Sequence, residues 1–243
     1  MKYHYVWLLW SSAFLIPWIV LYVWRPAFRG EMLYVSLGTS LLGLTEPIFV
    51  PEYWNPPSLF ELAQRTGFDI ESLIFCFAIG GIGAVLYNAL ARRELAPVPH
   101  HERHNGRHRF HKLALASPFL AFPILYLLPW NSIYAGIAAL AVGGIANMLC
   151  RPDLLRNTLL GGVLFLGLYA IFMLALRFTA PGYIETVWNL PALSGVAVGG
   201  VPVEELLFGF AFGLYWSGVY EHFTWNRSLA TTAQEAPIHL GGK

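Results

Sequence analysis

The sequence predicts an all-α polytopic membrane protein of about seven transmembrane helices, built on a parallel internal repeat of a three-helix module. Three observations carry this prediction. Hydrophobic residues make up 56% of the 243 positions and charged residues only 12%, about half the charge of a soluble domain. The apolar residues fall in runs long enough to cross a bilayer, which takes about 20 residues. A stretch of polar and turn residues also recurs at a fixed distance along the chain.

The predicted spans are 5–24, 31–49, 70–91, 113–129, 132–150, 157–177 and 202–221. Only a tight turn separates the fourth from the fifth. Short polar loops divide them, without the ten-residue alternating segments of a β-barrel. The first span lacks the basic flank and small-residue cleavage site of a removable leader and reads as a retained helix. Of the lysines and arginines, twelve fall on one side of this topology and three (Lys2, Arg65 and Arg177) on the other. Positive charge favours the cytoplasmic side, so the expected topology in the cell (inner) membrane has the N-terminus outside and the C-terminus in the cytoplasm. The corresponding organisation is a first three-span module at 1–91, a basic cytoplasmic loop and connector helix at 92–131, a second module at 132–221 and a disordered cytoplasmic tail at 222–243. Cys76 and Cys150 fall near opposite ends of their spans, too far apart for a disulfide, and read as inert buried thiols.

A shift of 134 lays "TEPIFVPEYWNPP" over "TAPGYIETVWNLP", so that Thr45, Pro47, Trp54, Asn55 and Pro57 meet Thr179, Pro181, Trp188, Asn189 and Pro191. A shift of 133 then places Gly67, Glu71, Phe75 and Gly80 on Gly200, Glu204, Phe208 and Gly213. Greasy composition alone does not reproduce prolines, asparagines and tryptophans in register. An offset of four spans keeps both copies in one orientation, and such parallel repeats pair about an axis along the membrane normal with a site between them.

The candidate chemistry lies where this repeat carries acids. Glu71 and Glu204 occupy equivalent positions, each with a phenylalanine, Phe75 or Phe208, four residues on and therefore on the same helix face. Glu205 adjoins Glu204, while Ser72 takes its place in the first copy. The plain reading of Pro202-Val203-Glu204-Glu205 is a helix start, with acids meeting the dipole. The chemical reading is a carboxyl in an apolar cleft, where burial keeps a transferable proton, beside rings that stabilise a cation. Trp54, Asn55, Trp188 and Asn189 read either as interfacial anchors or as the mouth of that site.

These residues resemble the integral-membrane lycopene cyclase domain family. It comprises the bacterial and archaeal two-subunit or fused cyclases and the cyclase half of the fungal bifunctional enzymes. Its Pro-x-Glu-Glu motif, with an aromatic three positions after the second acid, stands here as Pro202, Glu204, Glu205 and Phe208, and members carry two three-span modules. The first copy departs by keeping one acid, Glu71. The resemblance implies acid-initiated cyclisation of a linear carotenoid end group to an ionone ring without net redox change. Glu204 would be the proton donor, and Glu205 or Glu71 the base or tuning partner. Phe208, Phe75, Trp54, Trp188, Asn55 and Asn189 would face the substrate. The expected partners are the lipid bilayer and a hydrophobic polyene. Self-association is compatible with this reading; nucleic acid, metal and cofactor are not called for.

Two other function classes fit part of the pattern. A proton-coupled transporter would use intramembrane carboxylates and a parallel repeat, but the acids read as confined to the outer third. A non-enzymatic polyisoprenoid-binding protein would need only the cleft. A retinal-binding photoreceptor requires an intramembrane lysine, and Lys2, Lys112 and Lys243 all lie outside the spans. The loop "PHHERHNGRHRFHK" holds His100, His101, His104, His108 and His111. Its prolines and glycine, and the absence of a second His in His101-Glu102-Arg103-His104, favour a solvated basic loop over a metal site.

Overall fold

The computed structural model describes residues 3–230. α1 (Val6–Ala13) and α2 (Leu15–Trp24) form one apolar rod interrupted at Phe14. Pro17 lacks an N–H, and its ring would collide with the carbonyl one turn back, so the helix restarts there. α3 (Arg29–Ser40) tightens into 3-10 turns over Leu41–Ile48, where Pro47 again removes a donor. The short α4 (Leu62–Thr66) leads into α5 (Ile70–Leu90), whose N-cap Asp69 accepts the backbone N–H of Ser72. β1 (Arg93–Pro97), α6 (His100–Arg103), α7 (His111–Tyr126), α8 (Ser132–Cys150), α9 (Leu155–Thr179) and α10 (Tyr183–Val187) follow. A two-residue hairpin of β2 (Ala197–Val198) and β3 (Val201–Pro202) precedes α11 (Val203–Trp216) and α12 (Val219–Thr224), and β4 (Asn226–Ala230) closes the described chain.

Four helical segments are long and apolar enough to cross a membrane: Val6–Trp24, Ile70–Leu90, Ser132–Cys150 and Pro152–Thr179. The other three expected spans occur as shorter helices. α3 has 12 residues, α7 has 16 with Pro118 and Pro123 inside it, and α11 has 14 before Ser217 and Gly218 break it. Large apolar side chains stay exposed along the bundle, including Leu9, Ile16, Val23, Leu37, Leu127, Leu149 and Ile171. Such an exterior suits lipid, and with the four long apolar helices it marks a membrane protein.

Small residues bring the central helices into close contact. A Cβ on Gly80 would lie 2.4 Å from Thr39 Cβ, one on Gly43 would lie 2.8 Å from the backbone of Leu73, and one on Gly213 would lie 2.5 Å from Phe165 Cβ. α5 thus packs on α3, and α11 on α9.

Outside the helices, Trp54 and Trp188 form an isolated antiparallel bridge. Asn55 N–H donates to Val187 O at 2.8 Å, and Asn189 N–H donates to Tyr53 O at 2.9 Å. At the far end of α5, Asn88 Nδ2 donates to Glu221 Oε1 at 2.5 Å.

The start of the expected disordered tail, residues 222–230, is ordered. β4 pairs antiparallel with β1, and Arg93 donates to Ser228 O at 2.8 Å. Pairing satisfies backbone groups that a free tail would leave to water. The rest of that expectation, 231–243, lies outside the described residues.

Candidate functional site

A cavity of about 320 Å³ opens among α1, the turns around Pro47, α5, α7, α8, α9 and α11. Aromatic and aliphatic side chains make up most of its wall. Trp7 meets Trp54 at 4.7 Å between ring centroids and Phe75 at 5.4 Å, and Trp54 meets Trp188 at 5.4 Å. Phe208 lies 5.8 Å from Tyr169 and 5.8 Å from Phe212. Phe119, on the cavity wall in α7, is 53% exposed on the apolar flank of the bundle. The cavity therefore reaches the surface there between greasy side chains.

Two carboxyl groups line this cavity, Glu205 and Glu46. The hairpin aims the first. Gly199 and Gly200 take φ of +60° and +81°, the left-handed pair a two-residue hairpin needs. A side chain on Gly200 would also strike the Arg177 guanidinium, which donates to Gly199 O. Pro202 then occupies the N-cap and the helix starts at Val203, one residue later than a proline at the first helical position would place it. Glu204 and Glu205, about 100° apart on the helix, leave it in different directions.

Glu205 is 4% exposed and accepts three hydrogen bonds. They come from Tyr53 Oη, from Tyr169 Oη at 2.6 Å and from Trp188 Nε1 at 2.7 Å. Glu46, 8% exposed, has one oxygen, Oε1, buried without a hydrogen-bond partner. Three donors therefore engage both oxygens of Glu205, whereas Glu46 keeps one buried oxygen open. The cavity thus holds two carboxyl groups in different hydrogen-bond environments.

Glu204 and Glu71 do not line the cavity. Glu204 Oε1 accepts Tyr134 Oη at 2.7 Å and the backbone N–H of Ser194 at 2.8 Å. Glu71 Oε1 accepts the backbone N–H of Leu59 at 2.7 Å. The two acids that match in the sequence therefore do matching work, each tying the preceding loop to the first turn of its helix. Phe75, Phe208, Trp54 and Trp188 line the cavity. Asn55 and Asn189 are exposed and off it, and their backbone N–H groups serve the bridge instead. Cys76 lines the cavity and is a free thiol, as is buried Cys150.

Sequence reasoning missed Glu46, Tyr53 and Tyr169. Glu46 stands inside the repeated loop, but its counterpart is Ala180, so the repeat does not single it out. The acids are also not confined to one end of the bundle. Glu31 (3% exposed) and Glu221 (0%) are buried at the opposite end, Glu221 held by Asn88 and by Asn157 Nδ2 at 3.0 Å. Between the two ends α5 and α11 bury Ile79, Ile82, Val85 and Phe212.

Residues 131–223 match the family model described as lycopene cyclase. The matched segment runs from α8 to α12 and includes Glu204, Glu205, Phe208 and Trp188. Neither the curated proteins nor the solved structures give a match.

Proposed function

From the lycopene cyclase family domain at residues 131–223 as premise, we propose that the chain is a lycopene β-cyclase-like isomerase acting on the end group of a linear carotenoid. One observation carries the proposal: an aromatic cavity that opens on the apolar flank and holds two carboxyl groups in different hydrogen-bond environments. A polyene dissolved in lipid would enter past Phe119 and Phe122 without crossing water.

The chemistry needs an acid, a dry pocket, cation-stabilising rings and a base. Protonation of the terminal C1=C2 bond at C2 leaves a tertiary cation at C1. The C5=C6 electron pair attacks it, forming the C1–C6 bond and moving the cation to C5. Loss of the C6 proton gives the β-ring. Glu46 lends the proton in this proposal. The Glu205 carboxylate faces the cation and takes the C6 proton, held in place by Tyr53, Tyr169 and Trp188. Proton return from Glu205 to Glu46 resets the site, so none is consumed. Phe75, Phe208, Trp54 and Trp188 offer ring faces to the cation. The donor role thus falls to a cavity-facing carboxyl rather than to Glu204, which with Glu71 positions the loops.

The same proposal includes seven spans in two parallel modules, 1–91 and 132–221, with the basic connector 92–131 between them. The Trp54–Trp188 bridge supports this, because its partners are equivalent under the shift of 134. So does the Asn88–Glu221 hydrogen bond, whose partners are equivalent under the shift of 133. Residues that meet their own counterparts lie on a two-fold axis. These two contacts, one in the loops before α5 and α11 and one between the end of α5 and α12, are what an axis along the helices would give, as for parallel repeats that pair about the membrane normal. The buried acids at both ends weaken the argument that set a transporter aside, but the apolar layer between them favours a cyclase. The test is expression in a lycopene-accumulating bacterium with chromatography of the pigments. Cyclic carotenoids support the reading; unchanged lycopene with the protein present in the membrane refutes it for this substrate.

A further inference from the structure

The His-rich loop does not lie free. His108, His111 and Cys150 converge at one end of the bundle, away from the cavity. Cys150 Sγ lies 3.7 Å from His108 Nδ1 and 3.7 Å from His111 Nδ1. The three ligand atoms all lie within 4.8 Å of one another. Tetrahedral zinc, with bonds of about 2.3 Å to sulfur and 2.0–2.1 Å to nitrogen, sets sulfur and nitrogen about 3.5 Å apart. The observed spacing needs little adjustment to reach it.

The second ring nitrogen of His111 supplies an independent observation. Nε2 lies 2.9 Å from the carbonyl oxygen of His222. A carbonyl only accepts, so Nε2 carries the hydrogen, and the lone pair of the neutral ring sits on Nδ1, facing Cys150. A ligating histidine is usually fixed this way, its outer N–H donated to a carbonyl or carboxylate. Trp225 stacks on the same ring at 3.8 Å and 9°. Nearby Arg151 is paired with Asp153 through contacts of 2.8 and 2.6 Å, which offsets its positive charge. His222, 0% exposed, has both ring nitrogens buried without a hydrogen-bond partner, and its ring lies 4.1 Å from that of His111. Its nitrogens are not among the three ligand atoms that converge.

The geometry points to a structural transition-metal site of the zinc class, with His108 Nδ1, His111 Nδ1 and the Cys150 thiolate as ligands and water in the fourth position. Thiolate and imidazole together select such an ion over magnesium or calcium. The ion clips His108, in the loop between β1 and α7, and the first residue of α7 to the last residue of α8, and the His111–His222 hydrogen bond ties α12 to the same point. Sequence spacing hides the site, because Cys150 stands 42 and 39 residues from the two histidines.

The test uses tag-free protein in detergent, stripped with a chelator and titrated with cobalt(II). One equivalent should bind, giving the visible absorption of tetrahedral cobalt and a thiolate-to-metal charge-transfer band. Losing an outer-shell partner alone costs about 10–100-fold in metal affinity. Cys150→Ser should therefore weaken binding at least that far and abolish the charge-transfer band. His108→Ala, in the partly exposed loop, should weaken it similarly and serves if Cys150→Ser does not fold. Substituting His100 and His104 together should leave the spectrum unchanged. No stoichiometric uptake, an octahedral spectrum, or a tetrahedral spectrum that survives both ligand variants would overturn the proposal.

Discussion

Replacing Glu205 by glutamine is the sharpest probe of the cavity. The carboxylate accepts from Tyr53, Tyr169 and Trp188. Glutamine offers one carbonyl oxygen with two lone pairs, and its amide nitrogen cannot accept. At least one of the three buried donors therefore loses its acceptor, and Trp188 Nε1–H cannot reverse its role as a tyrosine hydroxyl can. An orphaned buried donor costs about 1–3 kcal/mol, which should lower thermal stability in detergent without preventing insertion. The larger effect should be on turnover, since loss of a general acid or base is worth about 10²–10⁴-fold. Glu204→Gln is the internal control. Both bonds to Glu204 fall on Oε1, and Oε2 has no partner. A glutamine carbonyl can keep Tyr134 and Ser194, so most activity should survive. The assay is pigment conversion in the lycopene-accumulating strain, normalised to the amount of each variant in the membrane. A silent Glu204→Gln beside an active Glu205→Gln would refute the reasoning and return the donor role to Glu204.

Further outcomes follow from the same geometry. Glu46→Gln should abolish conversion while the protein still inserts, because its amide cannot deliver a carboxyl proton; normal pigment yield would remove Glu46 from the mechanism. Phe208→Leu should keep the cavity apolar but lose a ring worth about 0.5–2 kcal/mol to a nearby cation, so conversion should fall by less than in Glu205→Gln. Gly43→Ala should destabilise by about 1–3 kcal/mol through overpacking, since its Cβ would lie 2.8 Å from the backbone of Leu73; an unchanged unfolding midpoint would contradict that contact. Reporter fusions after Lys112 and after Arg156 should both behave as cytoplasmic, and export of either would break the seven-span topology.

Much of the architecture was legible because lipid imposes simple rules. Apolar length marked the helices, and the four longest are those a bilayer would require. α3, α7 and α11 were harder to delimit, since Pro47, Pro118, Pro123 and the break at Ser217 and Gly218 shorten them locally. The resemblance to lycopene cyclases was legible in Pro202, Glu204, Glu205 and Phe208, and the family-model match to residues 131–223 covers them. Spacing puts Phe75 and Phe208 on the helix faces of Glu71 and Glu204, and leaves Trp54 and Trp188 as either interfacial anchors or the mouth of a site; in the structure all four line the cavity.

The sequence by itself determined that acids and rings would sit together at a helix start in an apolar bundle. Only the tertiary structure decided which acid faces the cavity. Adjacent helical residues diverge by about 100°, and the hairpin at Gly199 and Gly200 sets the phase that points Glu205 inward and Glu204 at the loop. Glu46 had no acidic counterpart in the repeat and became visible only where the turns around Pro47 pack against α5 at the cavity wall. His108, His111 and Cys150 belong to different segments and meet only because α7 and α8 return the chain to the same end. Side-chain chemistry is written locally, but which groups share a cavity or an ion depends on packing between residues distant along the chain.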